Sequence, residues 1–126
     1  MKFPDKLDVL AVHARLVSET GGRVGLRDEA LLESALAAAE NHFNYEAADP
    51  ISCAATYAYH LTQAHAFVDG NKRVAAAVME AFLITNGFEL LMKDDELVEL
   101  FLRIAASELN RETIEERLRE KTKASA

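Results

Sequence analysis

The chain has 126 residues, half of them apolar, and a formal net charge of −7. That length and apolar content suit one small folded domain over 1–126 and exclude a generally disordered protein. The acidity leaves no broad basic surface for DNA or RNA, and a lone cysteine, Cys53, excludes an intrachain disulfide or a cysteine-rich zinc site.

The opening MKFPDKLDVL lacks the apolar stretch of a signal peptide. No later segment has the uninterrupted apolar length of a membrane span, so a cytoplasmic location is expected. From Asp5 to Glu19, Leu7, Leu10, Ala11 and Ala14 recur at helical spacing until Gly21-Gly22 ends the segment, and Arg23 to Leu26 reads as a turn. Asp28 suits the cap of a second helix whose inward face is Leu31, Leu32, Ala35, Leu36 and Ala39. The stretch Glu40 to Asp49, ENHFNYEAAD, is polar and interrupted, which predicts a loop; its Phe43 and Tyr45 either anchor it or belong to a flap beside a site. His42 is expected to be exposed. His13 and His60 begin no metal-ligand pattern and read as structural. Asp49-Pro50 starts a third helix with Ile51, Ala54, Ala55, Ala58 and Leu61 inward, and Cys53 among them reads as a buried thiol.

Residues 65–73, His-Ala-Phe-Val-Asp-Gly-Asn-Lys-Arg, follow at once and precede another long apolar periodic segment. That is the layout of an anion site at a helix N-terminus, where four backbone N–H groups lack intrahelical acceptors and the helix dipole favours negative charge. Gly70 allows close backbone approach and Asn71 suits an N-cap. Lys72 adds a point charge and Arg73 a planar fork. Asp69 is a poor neighbour for bare phosphate and a sensible one if a hard cation such as Mg2+ lies between them. His65 has the reach to accept a proton from a hydroxyl aligned with the phosphate; a helix-end cap is the plainer role for it. Phe67 is expected to plug the loop into the core.

Beyond the motif, Val74, Ala77, Val78, Ala81 and Phe82 repeat at helical spacing until Asn86-Gly87. Alanines on this helix and on the one before it predict a central antiparallel pair carrying the loop between them. Leu97, Leu100, Phe101 and Ile104 define a further helix after an acidic start at Asp94, and Ile114 with Leu118 a last one beyond Asn110; the terminal KTKASA reads as frayed.

The string HAFVDGNKR resembles the signature of the Fic/Doc superfamily and, within it, the death-on-curing (Doc) toxin branch. The flanks GRVGLRDEALLESAL and AAAVMEAFLITNGFEL resemble the family too, so the likeness runs from about His13 to about Leu118. It implies an all-α, compact Fic/Doc helical fold with central antiparallel helices, an active-site loop and a flap, often a short β-hairpin. It implies His65 as the base and Asp69 as the Mg2+-holding acid. Gly70 and Asn71 would form the anion cradle, and Lys72 and Arg73 would contact the phosphates of ATP, the co-substrate. Fic enzymes that transfer AMP have glycine where this chain has Lys72 and arginine where it has Ala76, so both positions resemble the Doc branch instead. Val74 stands where a threonine is usual in that branch, and Ala77 where an asparagine is found. The resemblance thus implies first a kinase toxin that phosphorylates a threonine of elongation factor Tu, blocks translation and is restrained by an antitoxin protein. An AMP or other nucleotide transferase comes second, and an inactive nucleotide- or partner-binding module third. The self-inhibitory motif of some Fic enzymes is not supported, because Leu36 stands where its serine or threonine would be.

Overall fold

Short polar side chains mark where the helices begin. In the computed structural model, which describes residues 1–125, Asp5, Asp28, Asp49 and Asn110 each accept a hydrogen bond from the backbone N–H three residues on. They open α1 (Lys6–Thr20), α2 (Glu29–Glu46), α3 (Pro50–Ala64) and α6 (Arg111–Glu120); α4 (Asn71–Thr85) and α5 (Asp94–Ala105) start without a side-chain cap bond. Two short strands, β1 (Phe88–Leu90) and β2 (Thr122–Ala124), complete the mostly helical fold.

The core forms around α3, which is buried on all sides from Ile51 to Ala58 and again at Leu61 and Thr62. Ala54, Ala55 and Ala58 on α3 and Ala75 on α4 are fully buried, so the two backbones approach closely and the expected central pair is formed. Helices α2 and α6 cover the other sides of α3. Cys53 is buried against the carbonyls of Ala39 and Ala48, and burial pushes its thiol up to about 11, as fits an inert core thiol.

Helix α1 turns inward a different face from the expected one. Val9, His13 and Val17 are buried, whereas Leu7 is 72% exposed and Ala11 and Ala14 face solvent. The inner stripe runs at four-residue spacing through a histidine, and a pattern that counts histidine as polar passes over it.

The expected loop at Glu40 to Asp49 is instead helical as far as Glu46. His42 Nδ1 lies 3.0 Å from Glu46 Oε2 one turn on, Phe43 packs its ring against Phe3 with centroids 5.7 Å apart, and Ala47 closes α2 in the left-handed conformation. His42 is therefore half-buried rather than exposed, and Tyr45, 84% exposed, anchors nothing. The terminal KTKASA is not frayed over its first residues. β2 pairs antiparallel with β1 in the register Phe88↔Ala124, Glu89↔Lys123 and Leu90↔Thr122, and Leu91 N–H to Lys121 O (2.6 Å) and Ser125 N–H to Gly87 O (2.9 Å) extend the ladder. Ala126 of that stretch lies outside the described residues. No helix among the described residues is long and apolar enough to cross a membrane.

Polar groups join α2, α3 and α6. Ser52 Oγ donates to Glu115 Oε1 (2.7 Å), Arg111 Nη1 donates to the same oxygen (2.8 Å), and Arg119 bridges Glu115 and Asp49. His42 Nε2 lies 2.8 Å from Ser52 Oγ, so serine, histidine and Glu46 stand in a row. The buried hydroxyl and its bond to Glu115 make this a helix clamp and leave no accessible nucleophile. Burial would raise the Glu115 carboxyl, but the hydrogen bonds from Ser52, Arg111 and Arg119 outweigh it and hold the group at about 2, against an ordinary 4.5. The folded value lies below the unfolded one, so the stability it contributes is present above pH 4.5 and lost as pH falls toward 2. We expect up to about 3 kcal/mol to disappear across that window. Urea midpoints of Glu115→Gln should be flatter between pH 5 and pH 3 than those of the parent, and equal slopes would remove this account.

Candidate active site

Helix α3 hands the chain to the loop through His65, which closes the helix in the left-handed conformation (φ 49°, ψ 42°). A non-glycine residue there costs about 1 kcal/mol and needs support from its surroundings. Arg27 supplies it, donating to the His65 carbonyl from Nε (2.9 Å) and Nη2 (2.5 Å). The imidazole itself stays exposed at the rim.

The stretch before α2, read from sequence as a turn at Arg23 to Leu26, is extended and lies along the loop. Leu26 and Phe67 form an antiparallel bridge, Val68 N–H donates to Gly25 O (3.0 Å), and Arg27 N–H donates to Ala66 O (2.7 Å). In such a pair the N–H and C=O of Leu26 point away from the loop. The strand-like segment beside the site thus precedes α2, and the Phe43–Tyr45 region plays no part in it. Gly25 suits this approach: its φ of 152° is one that L side chains rarely adopt, and a Cβ there would press on Val68 Cγ2 at 3.1 Å.

Inside the loop, Phe67 is buried as expected and stacks on His13, with centroids 3.8 Å apart and planes at 15°. Asn71 does not cap α4. It is the first helical residue, and its amide ties the loop to itself: Oδ1 accepts from Phe67 N–H (3.1 Å) and Nδ2 donates to Phe67 O (3.0 Å). Gly70 takes the cap position at φ 78° with no side chain to offer, so the first turn of α4 keeps its N–H groups free of a side-chain acceptor.

The structure brings the charged members of the motif together at that helix end. Asp69 Oδ1 accepts from Gly70 N–H (2.8 Å), Oδ2 accepts from Arg23 N–H (3.3 Å), and Arg73 Nη2 lies 3.5 Å from Oδ1. These backbone bonds, first from Arg23 and then from Gly70, hold the carboxyl below the usual aspartate range, aided by the Arg73 and His13 side chains. Arg73 Nη1 also donates to Thr20 Oγ1 at the end of α1. Lys72 is exposed, and among the described residues no carboxylate pairs with it. Val74 is fully buried, so its lack of a hydroxyl is a packing matter. Ala76 lines a cleft of about 200 Å³ together with Lys72, Arg73 and Phe101. Ala77 faces a separate groove between α1 and α4, with Val9 and Phe82.

This donor set fits a cation held jointly with phosphate. Asp69 is ionised and half-exposed, and among the described residues no three His, Cys, Asp or Glu side chains form a metal cluster. Mg2+ commonly binds in this way, to one or two carboxylates with phosphate oxygens and water completing its shell. Five contributors escaped the sequence reading: His13, Thr20, Gly22 and the backbone N–H of Arg23 at or just beyond α1, and Arg27 before α2. A Cβ on Gly22 would lie 2.8 Å from Asp69 Oδ2. The one available signal was that Val9, His13 and Val17 share a helix face.

A family model described as the Fic/DOC family matches residues 3–83, which take in α1 through most of α4 and the whole of the loop. No curated protein matches the chain significantly.

Proposed function

The chain belongs to the Fic/DOC family, and from that premise we propose that it is a Doc-like toxin kinase, moving the γ-phosphate of ATP to a threonine or serine hydroxyl of a protein such as elongation factor Tu. The observation that carries this reading is Lys72, an exposed cation in the first turn of α4 with no carboxylate partner among the described residues, beside Arg73 and with Ala76 one turn on. It supports the Doc-like reading over AMP transfer, because both Lys72 and Ala76 depart from the AMP-transferring pattern.

In this reading His65 accepts the proton of the target hydroxyl as its oxygen bonds to the γ-phosphorus. The bond from that phosphorus to the β–γ bridging oxygen breaks, and ADP leaves. Asp69 would hold Mg2+, which supplies charge neutralisation at the phosphate oxygens. Gly70 would shape the turn, and Asn71, Lys72 and Arg73 would offer first-turn N–H groups, the last two also their cations, to the same oxygens. The outward N–H and C=O of Leu26 are placed to pair with the backbone of a target segment, so that its hydroxyl is presented beside His65. The restraining partner would be a separate antitoxin chain, and neither nucleic acid nor membrane is involved in the transfer.

Transfer of AMP, or of another nucleotide, is the second reading, and Ala77, standing where the Doc pattern has an asparagine, favours it. One experiment separates the two: the protein is incubated with Mg2+, cell extract and purified elongation factor Tu, using ATP labelled at either the α or the γ position. Kinase activity places only the γ label on protein. Label from the α position on protein would replace it with nucleotide transfer. Absence of both labels, with no growth effect from unrestrained expression, would leave the inactive binding module.

A further inference from the structure

We propose that His13 is the positioning residue of the anion cradle, setting the direction of the Asp69–Gly70 peptide from beneath the loop; the inference rests on the reading of that loop as a phosphate site. α1 carries the imidazole into the interior, where it is 3% exposed. A buried ring nitrogen needs a partner, and Nε2 has one 2.6 Å away in the carbonyl of Asp69. A carbonyl only accepts, so Nε2 carries the proton. A Cβ built on Gly70 would stand 3.5 Å from this same nitrogen, which places the imidazole directly under the turn.

The Asp69–Gly70 peptide is planar and trans, so pointing its carbonyl down at His13 points the Gly70 N–H the opposite way, toward the mouth of the site. There it donates to Asp69 Oδ1. A peptide that precedes glycine flips at little cost, since glycine accepts either sign of φ. Among the described residues the bond from His13 is the only hydrogen bond to the Asp69 carbonyl, so nothing else of that kind holds it inward. A flipped peptide would turn an oxygen, instead of a donor, toward an incoming phosphate. The same ring stacks on Phe67, which Asn71 ties at both N–H and C=O, so His13 joins the two fixed points of the turn. Being buried, it touches no substrate and acts only through the backbone.

The test compares His13→Phe, which keeps the stack and loses the donor, with His13→Gln, which keeps an N–H donor. In the parent protein, nitrogen NMR should show His13 protonated at Nε2, and the Gly70 amide should be protected from hydrogen exchange. His13→Phe should raise that exchange rate at least about 10-fold and lower kcat for transfer about 10- to 100-fold, with a smaller change in KM for the protein target. His13→Gln should recover a large part of both. An Nδ1–H tautomer in the parent, or unchanged Gly70 exchange in His13→Phe, would overturn the assignment. Should the parent transfer no label at all, the functional reading fails while the tautomer and exchange measurements still decide the role of His13. If His13→Phe does not fold, the parent tautomer and the exchange rate of His13→Gln decide it.

Discussion

His65→Ala is expected to lower transfer from ATP by about 10²- to 10⁴-fold, the range typical of removing a general base. The melting temperature should move by no more than about 2 °C, because His65 caps α3 through its backbone alone and its exposed side chain contributes little to stability. Two structural facts separate the chemistry from the fold here. The imidazole is exposed, so its removal opens no cavity. The part of His65 that the fold uses is its carbonyl, clamped by Arg27, and alanine keeps that carbonyl. Nucleotide affinity should also survive, since in the proposed reading phosphate would be held by the α4 N-terminus, Lys72 and Arg73 at the other end of the loop. The measurement is a steady-state comparison of kcat and KM for ATP, alongside thermal melting. Retained kcat in a well-folded His65→Ala protein would exclude the base assignment, and a large fall in melting temperature would show that the imidazole carries structural weight.

Arg27→Ala should give the complementary pattern. It removes the clamp from a left-handed non-glycine residue, so α3 loses a partner for its last exposed carbonyl and the loop loses its fixed start. A fall of about 1–2 kcal/mol in unfolding free energy is expected from a lost charge-assisted bond, together with a partial loss of transfer. Denaturant titration measures the first and the γ-label assay the second; a change in neither would show that His65 holds its conformation unaided.

How much of this was legible in the sequence depended on whether the cause was local. The motif could be read because its groups are contiguous and lead into a helix, and the structure brings Asp69, Gly70, Lys72 and Arg73 to one helix end. Caps at Asp28 and Asp49 were visible because the side chain and the N–H it binds are three residues apart, and Asn110, read only as the boundary of the last helix, caps in the same way. The misreadings involved partners that a capping or periodicity pattern does not name, some one helical turn away and some distant in the chain. Asn71 looks like a cap in sequence, yet its amide finds Phe67 four residues back, and the cap position falls to Gly70. Residues 40–46 looked like a loop because polarity was weighed without the His42–Glu46 pair and the Phe3 ring that receives Phe43. Thr122 to Ala124 looked frayed because β1, their only strand partner among the described residues, is over thirty residues earlier. His13 lies far from the motif in sequence and directly beneath it in space.

The neighbouring glycines at the end of α1 should give opposite results when each is changed to alanine. Gly21 closes the helix at φ 76° with no atom within 4 Å of a built Cβ, so Gly21→Ala meets backbone strain alone. That costs about 1 kcal/mol of stability and leaves the site untouched. Gly22 has an ordinary backbone, yet its Cβ would lie 2.8 Å from Asp69 Oδ2, 3.3 Å from Arg73 Nη2 and 3.4 Å from Val17 Cγ1. The carboxylate is the flexible neighbour and must give way, leaving its bond from Arg23 N–H and its approach to Arg73. Movement of a functional group by about 1 Å can cost on the order of 10² in rate, so Gly22→Ala should lose transfer on that scale while melting near the parent temperature. Displacing Asp69 should also raise the Mg2+ concentration needed for half-maximal rate, a shift that Gly21→Ala should not show. Parallel melting curves and Mg2+ titrations of the two variants distinguish the causes. Equal activity in both would mean that the close packing of Gly22 on Asp69 has no bearing on the chemistry.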